Sequence, residues 1–280
     1  MNIVALGSVA CRIAEQFKKH PQYKIFLIDD EEGKRSRYFL KLPKYQSGYD
    51  YEQNVSEQKI EKFLKNIKEE TLLVTCGSER ISLLSLMVLQ QISKLSRPSV
   101  LYIKPDVMFL NQERKENERI VREGLQSYAI HDFLEQIYLI DNLKVEKVIE
   151  EYNMENYFDK INEAISWSIH ILNYCDKQTP IADNFISNER YGINTIGINE
   201  FGEKNEENML YSLDNVKEKR YYYIINKELI KSDKGLLGKI RKDIEEKTMN
   251  KKEKIYYGIF PSELEKSLVV SLSITMGIQK

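Results

Sequence analysis

Residues 71–106 read TLLVTCGSERISLLSLMVLQQISKLSRPSVLYIKPD, and this stretch decides the fold class. It opens with an apolar strand at 71–75, which ends in Cys76-Gly77-Ser78. A helix with an apolar face follows and stops before Pro98, and a second apolar strand covers 99–103. Short strands that are apolar on both faces and are joined by one helix are typical of a parallel sheet covered by helices.

The same alternation extends to both sides of this unit. Short apolar runs predict further strands, and amphipathic stretches between them predict helices. The strands lie at 2–6, 25–28, 38–42 and 136–140, and helices begin after Gly7 and near Asn54 and cover 112–128. We therefore expect residues 1–150 to form an α/β domain with a doubly wound, mostly parallel, Rossmann-like sheet and a crevice at the carboxyl ends of its strands.

One helix start is predicted from its capping residues. Asn54 is a suitable N-cap, and Glu57 follows three residues later as in a capping box. The residues before this helix, through Gly48, are expected to form a polar loop.

Beyond residue 150 the pattern changes. A long amphipathic helix is predicted at 156–177, ending before Pro180 because the residue before proline avoids the helical region. Strands follow at 193–198, 221–225, 255–260 and 268–276, the last two separated by Pro261, and helices follow at 205–216 and after a cap at Ser232 or Asp233. We expect a core connecting helix with its following loop at 151–188 and a smaller α+β domain at 189–280.

Two patterns in this second part make specific predictions. The last strand alternates apolar residues with Ser271, Ser273 and Thr275, which indicates a sheet face packed against a helix. Three successive tyrosines, Tyr221 to Tyr223, occupy one strand, and alternation predicts that at least one of their rings is exposed as a contact surface.

Composition excludes several classes of protein. The 280 residues carry 42 Lys and Arg against 43 Asp and Glu, a net charge of −1, which argues against direct nucleic-acid binding. The three cysteines and three histidines are scattered, so neither a disulfide framework nor a metal site is expected. No apolar run reaches the ~20 residues of a membrane span, and the N-terminus does not resemble a signal peptide. We expect a cytoplasmic protein without a membrane partner.

Two further stretches continue the order begun at 71–106. ERKENERIVREGLQSYAIHDFLEQIYLIDN at 113–142 is a charged helix and a strand, and 219–279 is a strand, helix, strand, strand ending that runs into Gly277. In this order the chain resembles the tubulin/FtsZ superfamily along nearly its whole length, with the helix at 156–177 in the place of the family's core helix. The resemblance implies GTP with Mg²⁺ as ligand, hydrolysis across a subunit interface and head-to-tail self-association.

The resemblance also assigns site residues. It implies phosphate contacts from Gly7, Ser8 and Arg12 in the first loop and from Gly77 and Ser78 in the signature loop, a ribose contact from Glu113, a guanine contact from Asn142, and activation of water in the neighbouring subunit by Asp183. Three of these have a simpler interpretation. Glu113 and Asn142 also fit solvated polar residues at element ends, and Asp183 also fits an N-cap of a helix over Phe185 and Ile186.

The phosphate loops depart from the family pattern. Where the family has G-G-G-T-G followed by Ser or Thr, this chain has Cys76-Gly77-Ser78-Glu79-Arg80-Ile81-Ser82. Glycine allows the close approach and positive φ that phosphate binding requires, and the loops at 7–12 and 47–49 are equally poor in it. Glu79 would repel a phosphate by ~4 kcal/mol at contact distance, unless Arg80 or Arg12 offsets it.

Three hypotheses of function follow. The first is a tubulin/FtsZ-like protein that acts through self-assembly or through a protein partner, with weakened or lost use of GTP. The alternative is an active GTP-hydrolysing filament protein that serves cell division or DNA positioning, and the third is a binding module that does not assemble. The sequence contains neither the nucleophile elbow of a Ser/His/Asp hydrolase nor the G-x-G-x-x-G of a dinucleotide fold.

Overall fold

A computed structural model describes residues 1–31, 36–67, 70–149, 152–186, 191–203, 207–249 and 252–280. Within these residues the strands join in one sheet of eleven, in the order β3-β2-β1-β4-β5-β6-β8-β11-β9-β10-β7. They are β1 Asn2–Leu6, β2 Lys24–Asp29, β3 Phe39–Lys41, β4 Thr71–Cys76, β5 Ser99–Lys104, β6 Gln136–Asp141, β7 Ala182–Asp183, β8 Ile193–Glu200, β9 Glu218–Asn226, β10 Lys254–Ser262 and β11 Leu268–Thr275.

Helices cover both faces of this sheet. The α-helices are α1 Ser8–Gln16, α2 Gly48–Asn54, α3 Glu57–Leu64, α4 Ser85–Ser93, α5 Gln112–Ile130, α6 Asn142–Val145, α7 Tyr157–Asp176, α8 Lys227–Ser232 and α9 Leu236–Thr248. Short 3₁₀ helices lie at Phe17–Lys19, Arg80–Leu84, Val107–Phe109 and Glu146–Val148. In the described part of the chain, no helix is both long and apolar enough to cross a membrane.

The first six strands are all parallel, which confirms the predicted doubly wound sheet. β1 pairs with β2 on one side and β4 on the other, and Leu6 is level with both Ile28 and Thr75. Every residue of β1 and β4 is buried. The carboxyl ends of β1, β2 and β4 therefore meet at the same edge of the sheet.

Alternate residues of β1 belong to two apolar cores. Ile3 and Ala5 share a cluster with residues of α1 and α7, whereas Val4 and Leu6 share one with residues of α3, α4 and α5. This is the expected result for a strand with a period of two between two helical layers. The predicted helices at Gly7 and at 112–128 are thus confirmed on opposite faces of the sheet.

The sheet continues into the second part of the chain. β6 pairs in parallel with β8 through Ile137 and Ile193, and β11 is antiparallel to both β8 and β9. The core helix α7 contributes Ile169 to a cluster that also contains Ile3 from β1 and Leu272 from β11. The helix therefore packs against both parts of the sheet, and the domain boundaries at 150 and 188 stay a prediction.

The alternation predicted for the last strand is confirmed. Leu272 and Ile274 of β11 lie in the cluster of α7, while Val269 lies in a separate cluster with Leu236 and Ile240 of α9. Both faces of this strand are covered by helices.

The exposure predicted for the tyrosine run is wrong. Tyr221, Tyr222 and Tyr223 are all buried because β9 lies between β11 and β10 and has α7 on one face and α9 on the other. The hydroxyl groups remain satisfied, since Tyr221 donates to Glu207 at 2.5 Å and Tyr223 donates to Asp243 at 2.7 Å.

The helix predicted at 205–216 is also wrong where the structure describes it. Residues 207–216 contain no helix, and residues 205 and 206 lie outside the described residues. Met209 instead forms a β-bridge with Gly197, Leu210 is buried in the core, and Asn215 has a positive φ of 53° that a helix does not accommodate. Tertiary contacts override the local helical pattern here.

Five details of the predicted elements differ in the structure. Gly48, the last residue of the predicted loop, begins α2, whose capping box is formed by Ser47 and Asp50. α3 begins after Ser56 rather than after Asn54. Neither Ser232 nor Asp233 caps the next long helix, because α8 ends at Ser232 and α9 has Gly235 as its N-cap. Asp183 lies in β7 and caps no helix among the described residues, and Pro261 lies within β10.

Candidate functional site

The loops that follow β1 and β4 lie next to each other at the carboxyl edge of the sheet. The strand order β3-β2-β1-β4-β5-β6 reverses between β1 and β4, and ligands of doubly wound sheets bind in the crevice at such a reversal. A cavity of about 310 Å³ lies here, between Ser8, Glu79 and Arg80 on one side and Tyr45 and Phe109 on the other.

Glu79 occupies the start of α1. Its carboxylate accepts a hydrogen bond from the Ser8 amide at 3.1 Å and another from the Val9 amide at 3.4 Å. Gly7, the residue before the helix, has a φ of 92°, and a Cβ added there would collide with the same carboxylate. Free amides at a helix N-terminus are an anion site, so the chain's own anion fills the position that a phosphate takes in such loops.

The surroundings of Glu79 disfavour its ionised form. Burial, together with the neighbouring Asp29 carboxylate, raises the pKa of Glu79 to about 7, although the Val9 and Ser8 amides act in the opposite direction. Asp29 in turn accepts hydrogen bonds from the Ser8 hydroxyl at 3.1 and 3.2 Å, and burial raises its pKa as well. Above about pH 7 Glu79 therefore carries a negative charge at the side of the crevice.

Two further loop glycines face side chains of the protein. A Cβ on Gly77 would collide with the Tyr102 hydroxyl, and a Cβ on Gly48 would collide with Leu83. Tyr102 is fixed in this place by a hydrogen bond of 2.8 Å to the buried Glu118. These glycines thus serve the packing of the loops against the core, and the space beside them holds protein atoms.

Arg80 does not neutralise Glu79. Its guanidinium forms a two-pronged ion pair with Glu113, with distances of 2.8 and 2.9 Å. This hydrogen bonding lowers the pKa of the Glu113 carboxyl. The carboxylate expected at the ribose is therefore bound to the arginine of the signature loop, while Arg12 is exposed on α1 and lines a neighbouring depression with Asp29.

Ser78 and the thiols nearby are buried. Cys76 lies 3.7 Å from the Ser78 hydroxyl, and burial raises the pKa of the Cys76 thiol to about 12. Burial also raises the pKa of the Cys11 thiol on α1. These cysteines are therefore poor nucleophiles.

Of the predicted residues only Ser8 lines this cavity, and Asn142 and Asp183 lie elsewhere. Asn142 begins α6 after β6, and its Oδ1 atom is buried without a hydrogen-bond partner among the described residues. Asp183 is exposed on β7 at the far edge of the sheet, where it pairs with Gly258 and accepts a hydrogen bond from the Phe185 amide at 3.1 Å. Within one chain, Asp183 and the crevice lie on different parts of the surface.

Several residues of the crevice were not predicted from the sequence. Tyr51 is fully buried at its side, and its hydroxyl donates a hydrogen bond to Asp30. Asn111 caps α5, and Arg114 and Phe109 line the cavity with it. Asp29, Asp30 and Glu31 after β2 are a visible acidic signal in the sequence, whereas Tyr51 follows a stretch predicted to be a loop.

The searches against family models and curated proteins found no match. Solved structures are similar, although at low identity. A dimer of FtsZ from M. jannaschii, described as empty, has a TM-score of 0.73 and 15% identity over 99% of this chain and 88% of that chain. A GTPγS-form protofilament of TubZ from Bacillus thuringiensis serovar israelensis has a TM-score of 0.71 and 11% identity over 98% and 86%. A two-stranded TubZ-Bt filament has a TM-score of 0.69 and 11% identity over 98% and 83%.

These likenesses cover both the parallel and the mixed parts of the sheet. They span 98–99% of this chain and so include the elements from β1 to β11 and α7 between the two parts. The chain therefore has the tubulin/FtsZ-type fold.

Proposed function

We propose that this protein acts through self-assembly or through a protein partner, and that its use of GTP is weakened or lost. The observation that carries the proposal is the Glu79 carboxylate on the Ser8 and Val9 amides. A triphosphate does not fit the loops in this arrangement, because a protein carboxylate takes the amides and protein side chains take the space beside Gly77 and Gly48.

The electrostatic repulsion between Glu79 and a bound phosphate can be estimated. A phosphate charge about 4 Å from an ionised Glu79 would be repelled by ~4 kcal/mol at an effective dielectric constant near 20. Such a cost would weaken binding to the ionised form about a thousandfold. Protonation of Glu79, whose pKa is about 7, removes the repulsion but leaves the side chain in the same place.

Self-assembly is supported by the similar structures. These include an FtsZ dimer and TubZ protofilaments and filaments, so copies of this fold associate. We extend this to a head-to-tail arrangement of the present chain in the cytoplasm, which needs no hydrolysis to form. The near-neutral net charge of −1 makes a protein partner more suitable than direct contact with nucleic acid.

Titration calorimetry with GTP and Mg²⁺ tests the loss of nucleotide use. The wild-type chain should give no saturable heat at ligand concentrations up to ~100 μM, a range that detects binding stronger than about 5 kcal/mol. Glu79→Gly is the matched variant, because it frees the two amides at α1, and it should bind inorganic phosphate or GTP more tightly than the wild type. Saturable binding of GTP by the wild-type chain would refute this part of the proposal.

Sedimentation and negative-stain microscopy without nucleotide test the assembly. We expect oligomers or filaments that grow with protein concentration. A chain that stays monomeric under all conditions would refute self-assembly and would leave the binding module as the remaining hypothesis.

One observation favours the alternative, a GTP-hydrolysing filament protein. The buried Oδ1 atom of Asn142 has no hydrogen-bond partner among the described residues, as expected for a side chain that hydrogen-bonds a ligand. In that alternative Asp183 of a neighbouring copy would activate water. Release of phosphate from GTP by the wild-type chain, lost in Asp183→Asn, would establish it.

A further inference from the structure

A short segment of irregular backbone follows β11. Its residues 277–280, which we call the latch, lie outside the sheet, because β11 ends at Thr275. Ile278 is 49% exposed, whereas Gln279 next to it is only 3% exposed. A single buried polar residue in an exposed segment needs hydrogen-bond partners inside the protein.

Gln279 has a partner for each of its four polar groups. Its backbone amide donates to Gln126 Oε1 at 2.7 Å. Its backbone carbonyl accepts from Gln126 Nε2 at 3.0 Å and from Arg122 Nη1 at 2.5 Å. Its side-chain oxygen accepts from the Asp214 amide at 2.6 Å, and its side-chain nitrogen donates to the Gly277 carbonyl at 2.5 Å. These contacts fasten the latch to α5, a helix of the first part of the chain.

Arg122 also binds Glu118, one turn earlier on α5. The Arg122 Nε atom donates to Glu118 Oε1 at 2.7 Å, and both side chains are buried. A guanidinium group is planar and rigid, so its donor to Glu118 and its donor to Gln279 move together. Because a buried carboxylate without its cation is strongly unfavourable, a displacement of Arg122 also disturbs Glu118.

The same oxygen of Glu118 holds a residue of β5 in place. The Tyr102 hydroxyl donates to Glu118 Oε1 at 2.8 Å, and Tyr102 is fully buried. A Cβ on Gly77 would collide with this hydroxyl, so the backbone of the signature loop at 76–82 packs directly against it. Hydrogen bonds and one packing contact therefore connect the latch to the loop that carries Glu79.

The latch has two possible arrangements. When it is seated on α5, each polar group named above is paired inside the protein. None of the described strand pairings of β11 extends beyond Thr275, so the latch can leave α5 while the sheet stays intact. Arg122 and Gln126 then lose a buried acceptor to water, and the hold of Glu118 on Tyr102 weakens.

We propose that the latch and the signature loop are energetically coupled through Arg122, Glu118 and Tyr102. Lifting Gln279 from α5 loosens the loop, and displacing the loop weakens the seat of Gln279, because a coupling between two sites acts in both directions. This regulation goes beyond the proposed function, since it holds whether or not copies associate or GTP binds. A molecule that draws the latch away from α5 thereby acts on the loop that places Glu79 on α1.

Hydrogen–deuterium exchange of the nucleotide-free protein tests the coupling. Gln126→Met/Gln279→Ala is the release variant, because it removes both side-chain amides that seat the latch. Ile278→Ala is the matched control in the same segment, at a side chain that is half exposed. Tyr102→Phe keeps the ring and removes the hydroxyl that joins Glu118 to the loop.

The release variant should speed exchange in residues 76–82 about fivefold or more, whereas Ile278→Ala should leave it unchanged. In a Tyr102→Phe background, the release substitutions should have no further effect on the loop. Gly77→Ala, which pushes on Tyr102, should in turn speed exchange of the Gln279 amide by a similar factor. The amides of β1 report global unfolding, and the loop should exchange faster than they do in every variant.

Each other outcome overturns the coupling. A loop that keeps its wild-type rate after release of the latch shows that the two segments are independent. Equal acceleration with and without the Tyr102 hydroxyl shows that Tyr102 does not connect them. A loop that exchanges only as fast as β1 in the release variant reports global unfolding and no selective loosening, and an unchanged Gln279 amide in Gly77→Ala contradicts the required reciprocity.

Discussion

Replacing Glu79 with glutamine tests how the crevice is filled. Glutamine keeps the shape of the side chain and an oxygen that accepts the Ser8 amide, whose hydrogen bond to Glu79 is 3.1 Å long. The change removes the negative charge beside Asp29. In the wild type, burial and Asp29 raise the pKa of Glu79 from 4.5 to about 7, so the folded state binds its proton more tightly than the unfolded state.

The sign and size of the effect follow from this shift. Protonated Glu79 contributes its full stabilisation of the folded state below pH 4.5, and this contribution is lost as pH rises through about 7. The full shift corresponds to ~3 kcal/mol, and partial solvent contact reduces it to about 2 kcal/mol. Glu79→Gln carries no such charge, so its free energy of unfolding should match the wild type at low pH and exceed it by about 2 kcal/mol near pH 8.

Urea unfolding at a series of pH values measures this difference. The single tryptophan, Trp167 on α7, packs against the core and reports unfolding by fluorescence. Glu113→Gln is a control whose effect on the free energy of unfolding has the opposite sign. Arg80 lowers the pKa of Glu113, so removal of the Glu113 charge should destabilise the protein at neutral pH. A difference between Glu79→Gln and the wild type that does not change with pH, or a less stable Glu79→Gln near pH 8, would refute the described position of the carboxylate.

Two further predictions concern packing near the crevice and at the end of α1. His170 stacks on His20 with ring centroids 3.6 Å apart, and burial together with His20 lowers the pKa of His170 to about 4, so stability should fall as pH drops from 6.5 towards 4. His170→Gln should lose less stability over this interval in acid-unfolding curves, and an equal loss would contradict the reasoning. Gly77→Ala should cost about 1–3 kcal/mol in chemical denaturation because its Cβ meets the Tyr102 hydroxyl, and Tyr102→Phe should recover part of that loss, whereas additive losses would exclude the contact.

The sequence predicted the elements that tertiary packing reinforces. β1 and β4 are short apolar runs that are buried on both faces. α7 keeps one buried face from Ile161 to Cys175, so local pattern and final environment agree. Prediction failed where distant contacts decide the structure. Residues 207–216 have a helical pattern, yet the bridge between Met209 and Gly197 holds them against β8.

The loops that form the crevice were predictable in position and not in contacts. The glycine-poor loop at 76–82 was identified from its order in the chain, and so was the unfavourable charge of Glu79. That this side chain turns onto α1 depends on the packing of two segments separated by 71 residues, which no local pattern contains. The same holds for Arg80, whose partner Glu113 lies 33 residues away.

An anion supplied from within the chain changes what assembly can depend on. The amides at the start of α1 need an acceptor in every state of the protein, and Glu79 provides one without a ligand. If the proposal holds, the crevice has the same geometry before and after assembly, so hydrolysis cannot time the release of subunits. Disassembly then has to follow the concentration of the chain or the binding of a partner, and both act on the association between copies.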